Sequence, residues 1–163
     1  MPSQQPVQVR AERAIEDLMA RILAVDWGRA ILGLAVSDAL GVTAQGLASL
    51  PRVNESRDVE AIGAFVRDLG VGAVVVGLPK NMDGSLGPSA EAAQVFARTL
   101  HDRLGIPVHL WDERLTTAAA ERTLLSAGLR RRARRSVVDQ VAATMILQGF
   151  LDRQRAEAEQ RDS

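Results

Sequence analysis

Four carboxylates stand where this chain's pattern could use them for chemistry: Asp26, the adjacent Asp112 and Glu113, and Asp139. Asp26 closes the apolar run Arg21 to Val25 and is followed by Trp27 and Gly28, so its carboxylate stands at a strand end where the backbone is open to a ligand. Asp112 and Glu113 close the run Ile106 to Trp111, and Asp139 falls in the first turn of a helix reading from Ser136 to about Gln154. On a helical wheel Asp139 lies about 20° from Ile146 and borders the packed face. Carboxylates gathered at one sheet edge repel one another unless cations neutralise them, which is the physical reason to expect a metal. Mg2+ or Mn2+ suits oxygen donors, and a pair of such ions about 3.5 to 4 Å apart can clamp a phosphodiester, activate water and stabilise the leaving oxygen.

Each residue also has a plainer reading. An aspartate at a strand-to-turn junction is often a turn former. Ser136-Val-Val-Asp139 fits a helix capping box. A one-residue register decides whether Asp112 or Glu113 faces a site, and the pattern leaves that open.

The elements that must position these groups alternate in type. Arg21 to Val25 and Ile31 to Val36 read as a hairpin, and Thr43 to Leu50 as a third strand pairing antiparallel with it. Arg57 to Leu69 has helical apolar spacing ending at Gly70, and Ala73 to Val76 is a buried strand. Pro88 to Leu104 is a helix with proline in its first turn and Gly105 after its end, Ile106 to Trp111 a fifth strand, and Thr117 to Ala127 a helix stopped by Gly128. The order predicts an α/β fold with a five-stranded mixed sheet, three strands antiparallel and two added by helical crossovers, with helices on both faces. Residues 1–18 read as a flexible polar extension, with Met19 as the natural start, 19–155 as one domain, and 156–163 as a polar tail.

Bulk composition agrees with one globular domain: 163 residues, 47% hydrophobic and 25% charged. The absence of cysteine excludes disulfides and thiolate metal sites. No run approaches the length of a membrane span and no signal pattern opens the chain, so a cytoplasmic protein without membrane contact is expected. A formal net charge of zero argues against indiscriminate coating of nucleic acid. The charge is uneven, however: Arg130, Arg131, Arg132, Arg134 and Arg135 form one run directly before the final helix, where they could hold a nucleic-acid backbone. Between Gly77 and Pro88, a glycine-containing loop with Lys80 leads into a helix N-terminus that could hold phosphate, although it lacks Walker A spacing. Aromatics are only 3% of the chain, so base stacking on exposed rings should contribute little.

The combined blocks resemble the YqgF/RuvX family of Holliday-junction-resolvase-like proteins, described as the nuclease that matures pre-16S ribosomal RNA. The resemblance spans Arg21 to Asp152. It rests on Ala24-Val-Asp-Trp-Gly28 with Gly33-Leu-Ala-Val-Ser-Asp38, on Val76-Gly-Leu-Pro79 with Met82-Asp-Gly84 and Gly87-Pro88, on Asp112-Glu-Arg-Leu-Thr-Thr117, and on Asp139-Gln-Val-Ala-Ala143 with Ile146-Leu-Gln-Gly149. It implies a ribonuclease H-like fold and, carried onto this chain, assigns Asp26, Glu113 and Asp139 as catalytic metal ligands for Mg2+ or Mn2+. The same resemblance selects Glu113 over Asp112, makes Arg114 and Thr117 candidates for phosphate contact or support of the site, and places Asp83 and Gly84 at its rim. The family has a Lys-Arg pair soon after the first aspartate, where this chain has Ala30-Ile31, preceded by Arg29.

The resulting expectation is metal-dependent hydrolysis of structured or single-stranded RNA at the pre-16S end, with branched DNA as a further substrate and ribosomal precursor particles as partners. Arg29, Lys80, Arg114, Thr117 and the arginine run would contact the substrate, and the protein would be a monomer or homodimer. The missing Lys-Arg pair motivates an alternative, an RNA- or ribosome-associated factor of little activity. A sugar-kinase-like ATPase generally needs two domains of this type, and the chain has room for one.

Overall fold

The computed structural model describes residues 20–115 and 131–162, with the side chains of 131–138 excepted. Strands β1 (Arg21–Asp26), β2 (Ile31–Ser37) and β3 (Ala44–Pro51) are followed by helix α1 (Glu55–Leu69), strand β4 (Val71–Leu78), helix α2 (Pro88–Leu104), strand β5 (Val108–Asp112), a 3-10 turn (Glu113–Leu115) and helix α3 (Arg131–Arg161). The five strands form one sheet in the order β3-β2-β1-β4-β5. β1 pairs antiparallel with β2 and parallel with β4, and β4 pairs parallel with β5. This is the mixed sheet expected from the hairpin and the two crossovers.

Side-chain alternation divides the sheet into two faces. Leu23, Val25, Leu32, Leu34, Val74 and Val76 point to one side and pack with Val59 and Ile62 of α1 and with Phe96 and Leu100 of α2. Ala24, Ala35, Val75 and Trp111 point to the other and pack with Ala143, Ile146, Leu147 and Leu151 of α3. Small residues on the three central strands leave room for α3 to lie close on that face.

Local chemistry explains where the elements begin and end. Asn54 caps α1 by accepting the Arg57 backbone N–H at 2.9 Å, so the helix starts two residues before the apolar periodicity suggests. Gly70 and Gly105 end α1 and α2 in the left-handed conformation, at φ 66° and 68°. β5 starts after Pro107, later than the apolar run predicts, because proline cannot donate to the ladder; its carbonyl accepts the Val74 N–H at 2.9 Å. β4 is longer than predicted, since Gly72 and Gly77 continue it where glycine reads as a breaker.

The final helix differs most from expectation. It includes 131–135, so that part of the arginine run is helical and does not precede the helix, and it continues to Arg161 through the expected polar tail. Ser136 is then interior, and the capping-box reading of Ser136-Val-Val-Asp139 does not hold: Asp139 lies beyond the second turn. The expected helix Thr117 to Ala127 and the expected extension 1–18 lie outside the described residues. No helix among the described residues is long and apolar enough to cross a membrane.

Candidate active site

Period two in the strands places the acidic groups. Asp26 follows Ala24 on the α3 face of β1, and Glu113 follows Trp111 on the same face just past β5. Between them in the sheet runs β4, whose Gly77 follows Val75 on that face. A β-carbon at Gly77 would collide with Glu113 Oε1 and would come within 2.5 Å of Ile146 Cδ1. Glycine here is what lets the Glu113 carboxylate lie across the strand toward Asp26.

On the other side of β1, Asp26 is paired in register with Gly33 of β2. The backbone carbonyl of Asp139 presses against Gly33 so closely that any β-carbon there would overlap it. Gly33 therefore admits α3 at the one point that brings Asp139 beside Asp26. Gly28, to which the sequence assigned an opening for a ligand, instead serves the turn: a β-carbon there would meet the Ile31 carbonyl oxygen at 2.5 Å.

Asp26 and Glu113 are hydrogen-bonded through their side chains. Two carboxyl groups can do this only by sharing a proton. Burial, the negative charge of Glu113, its hydrogen bond and the charge of Asp139 together push the Asp26 carboxyl up to about 8. Glu113 is also raised, mainly by burial and further by the charge of Asp112, while the Asp26 hydrogen bond pulls the other way. Among the described residues no group of three or more His, Asp and Glu side chains forms a ready-made cation cage. The site is a touching pair with a third carboxylate acting on it through space.

The donor set nonetheless fits a hard divalent cation. All donors are carboxylate oxygens, and a cation would relieve the repulsion that now holds a proton on the pair.

Asp112 is held elsewhere. Its carboxylate receives Arg114 Nη2 at 2.6 Å, Arg114 Nε at 3.0 Å and the Arg114 backbone N–H at 3.0 Å, which keeps its pKa low. The register that the sequence left open is thus resolved in the geometry: Glu113 faces Asp26 and Asp112 faces Arg114. The Arg114 guanidinium also reaches the Met82 carbonyl at 3.5 Å and lies over Gly84, joining the β5 end to the rim loop. That loop braces itself, for Asp83 accepts the Ser85 hydroxyl at 2.6 Å and the Ser85 N–H at 2.9 Å.

Of the other expected contacts, Arg29 is exposed on the β1–β2 turn, and Lys80 is half-buried where its charge is felt by Asp112. Thr117 and Arg130 lie outside the described residues, as do the side chains of Arg131, Arg132, Arg134 and Arg135. Arg52 was not anticipated. It sits 4.9 Å from the Trp27 ring centroid and 5.6 Å from that of Phe96, pairs with Asp58 at 3.0 Å and donates to the Gly28 carbonyl at 3.4 Å, bracing the turn that follows Asp26. Gly33 and Gly77 stand in the blocks that carry the resemblance, and an isolated glycine inside a strand pattern is the sequence's only sign of their role, close approach.

A sheet of this order, with α1 and α2 on one face and α3 on the other, defines the ribonuclease H-like fold. Thermus thermophilus RuvC in complex with a Holliday junction superposes with a TM-score of 0.55 at 16% identity, covering 83% of this chain and 96% of that one. The fowlpox virus Holliday junction resolvase superposes at 0.50 with 11% identity, covering 81% and 98%. Those two likenesses concern the fold. The chain itself belongs to the RuvX family, described as Holliday junction resolvase, whose profile matches residues 20–153. It is 58% identical over 133 residues to a Moorella thermoacetica protein, covering 82% of this chain and 95% of that protein, and 53% identical over 136 residues to one from Halalkalibacterium halodurans, covering 82% and 97%. Both relatives carry the name "Putative pre-16S rRNA nuclease".

Proposed function

We propose that the protein is a divalent-cation-dependent nuclease that hydrolyses phosphodiester bonds at the end of pre-16S ribosomal RNA. The observation that carries the reading is the contact of Asp26 with Glu113 across Gly77, with Asp139 seated on Gly33 beside them. The relatives' name supplies the RNA.

Asp26, Glu113 and Asp139 would hold Mg2+ or Mn2+, which when bound supplies positive charge for a phosphate and acidifies a water molecule. The chain's own groups do the rest. Asp26 and Glu113 release their shared proton and present oxygen donors, while Arg114 fixes the backbone from which Glu113 projects. Lys80, Arg29, Thr117 and the run Arg130 to Arg135 hold substrate phosphates, so that recognition rests on backbone and shape and weakens with salt. The catalytic unit is residues 19–155, and its setting is the cytoplasm, on ribosomal precursor particles.

The test is cleavage of labelled RNA bearing a 16S precursor end, beside a four-way DNA junction, with Mg2+ or Mn2+ and with Asp26→Asn as control. RNA cut by wild type and spared by Asp26→Asn supports the reading. Cutting of the junction alone moves the substrate to branched DNA, and binding without any metal-dependent cutting makes the protein an RNA-associated factor.

A further inference from the structure

Beside the carboxylate pair, at the open edge of β5, lies a cavity of about 420 Å³ in which, of the groups assigned to the phosphodiester chemistry, only Lys80 takes part. Its volume is in the range of small-ligand pockets, roughly 300 to 1,000 Å³. The two sites share structure, since Asp112 lines the cavity and Glu113 follows it, and Leu78 lines it and follows Gly77. Leu78 and Asp112 alternate to the other face of the sheet from Gly77 and Glu113, so the cavity flanks the acidic site around the β5 edge, one residue away along each strand.

The walls are aliphatic and unusually open to water. Leu110 is 42% exposed and Leu86 38%, although both lie over the cavity. Exposed apolar side chains gathered around a concavity mark a binding surface more often than scattered ones do. Trp111, only 7% exposed, forms part of the lining, and its buried indole Nε1 has no hydrogen-bond partner among the described residues. At the polar ends are Lys80 and the half-buried Gln94, and among the described residues neither side chain is committed to an ion pair or hydrogen bond.

We infer that this cavity takes one unstacked nucleobase of the substrate strand, with Lys80 on that nucleotide's phosphate. The inference rests on the nuclease reading. A base presents flat apolar faces, which suit the aliphatic walls, and an edge of donors and acceptors, which suits the Gln94 amide. Its phosphate brings a negative charge to Lys80, whose near neighbour Asp112 is already gripped by Arg114. Lys80 and Arg153 against Asp112 alone leave the lining with a positive surplus, which a strand carrying a phosphate at every nucleotide meets and an apolar peptide side chain does not, so charge complementarity favours the nucleotide. Single-stranded RNA offers such bases freely, whereas a duplex must first unpair one. The pocket accordingly selects an unpaired nucleotide near the scissile bond.

The test is an abasic walk. A labelled single-stranded RNA of the precursor end is bound to Asp26→Asn protein and followed by fluorescence anisotropy, and the set is repeated with one base deleted at a time. One position is expected at which loss of the base weakens binding about tenfold. In the Asp26→Asn/Leu110→Glu protein that position should lose its effect, while Leu110→Met, which keeps the wall apolar, should preserve it. Circular dichroism and the melting temperature establish that the variants are folded. No sensitive position, or one indifferent to Leu110→Glu, overturns the inference. So does sedimentation showing that Leu110→Glu separates a dimer without altering the walk, since the groove would then belong to a second copy. Binding does not require cleavage, so failure of the nuclease reading would show instead as wild-type protein that fails to cut.

Discussion

The backbone carbonyl of Asp139 rests on Gly33, the residue that pairs with Asp26 in the β1–β2 ladder. One hydrogen atom in place of a side chain thus fixes the distance between two carboxylates that lie far apart in sequence. Gly77 does the same for Glu113 on the neighbouring strand. The acidic site is built as much from missing side chains as from present ones.

Gly33→Ala should therefore be destabilising. The collision is with backbone, which cannot rotate away, so the overpacking cost of about 1 to 3 kcal/mol outweighs the roughly 0.4 to 1 kcal/mol that alanine gains by restricting the unfolded chain. Urea denaturation reads this directly. Cleavage measured well below the melting temperature should fall further than stability explains, because α3 must move and carry Asp139 with it. Full activity in a folded Gly33→Ala protein would show that the position of Asp139 is unimportant.

The raised pKa of Asp26 makes stability pH-dependent, and the sign follows from proton counting. Above its ordinary 3.8 the unfolded chain has released this proton, while the folded protein keeps it up to about 8. Without divalent cations, stability should fall as pH rises through that window and level off above it. Asp26→Asn should abolish much of the fall and be more stable at pH 8 by at least about 1.4 kcal/mol, the equivalent of one pKa unit. Adding Mg2+ or Mn2+ at pH 8 should raise the melting temperature of wild type and leave that of Asp26→Asn nearly unchanged. A flat profile for the metal-free wild type would contradict the buried pair.

Arg114 is bound on several sides by protein groups, which makes it a strut and leaves it poorly placed to hold phosphate. Arg114→Gln should lower kcat between about 10- and 100-fold, the penalty of a misplaced catalytic group, with KM within about twofold. Arg114→Lys keeps the charge but loses the fork that grips Asp112, so it should recover only part of the rate. A raised KM at constant kcat would instead place Arg114 on the substrate.

Arg52 and Asp58 form a partly buried ion pair, 19% and 4% exposed. Arg52→Met leaves Asp58 with one remaining donor among the described residues, the Val53 N–H at 3.1 Å. Removing one member of a buried pair costs about 3 kcal/mol, and chemical denaturation should show a loss of that order. The β1–β2 turn loses its brace at the same time, so activity per folded molecule should also decline.

Much of the architecture was legible in the sequence because it depends on local pattern. Short apolar runs set the strands, apolar spacing set α1, and proline and glycine marked both ends of α2. Elsewhere a competing local rule had greater weight in the fold: Pro107 shortened β5, Asn54 lengthened α1, and α3 runs on past Leu151 as an exposed helix carrying the Arg153–Glu157 and Arg155–Asp152 pairs through residues that resembled a tail.

The sequence by itself determined which carboxylates were available and that no thiolate could serve a metal, leaving oxygen or one of two histidines. Resemblance pointed to Glu113, but composition and spacing could not separate it from Asp112, because a one-residue register reverses which face of the sheet a side chain takes. Only the tertiary structure decided that, by laying Glu113 across Gly77 toward Asp26 and tying Asp112 to Arg114. It also decided what Gly33 and Gly77 are for. Close approach between elements distant in the chain leaves no local periodicity to read, since it is a property of the space between them.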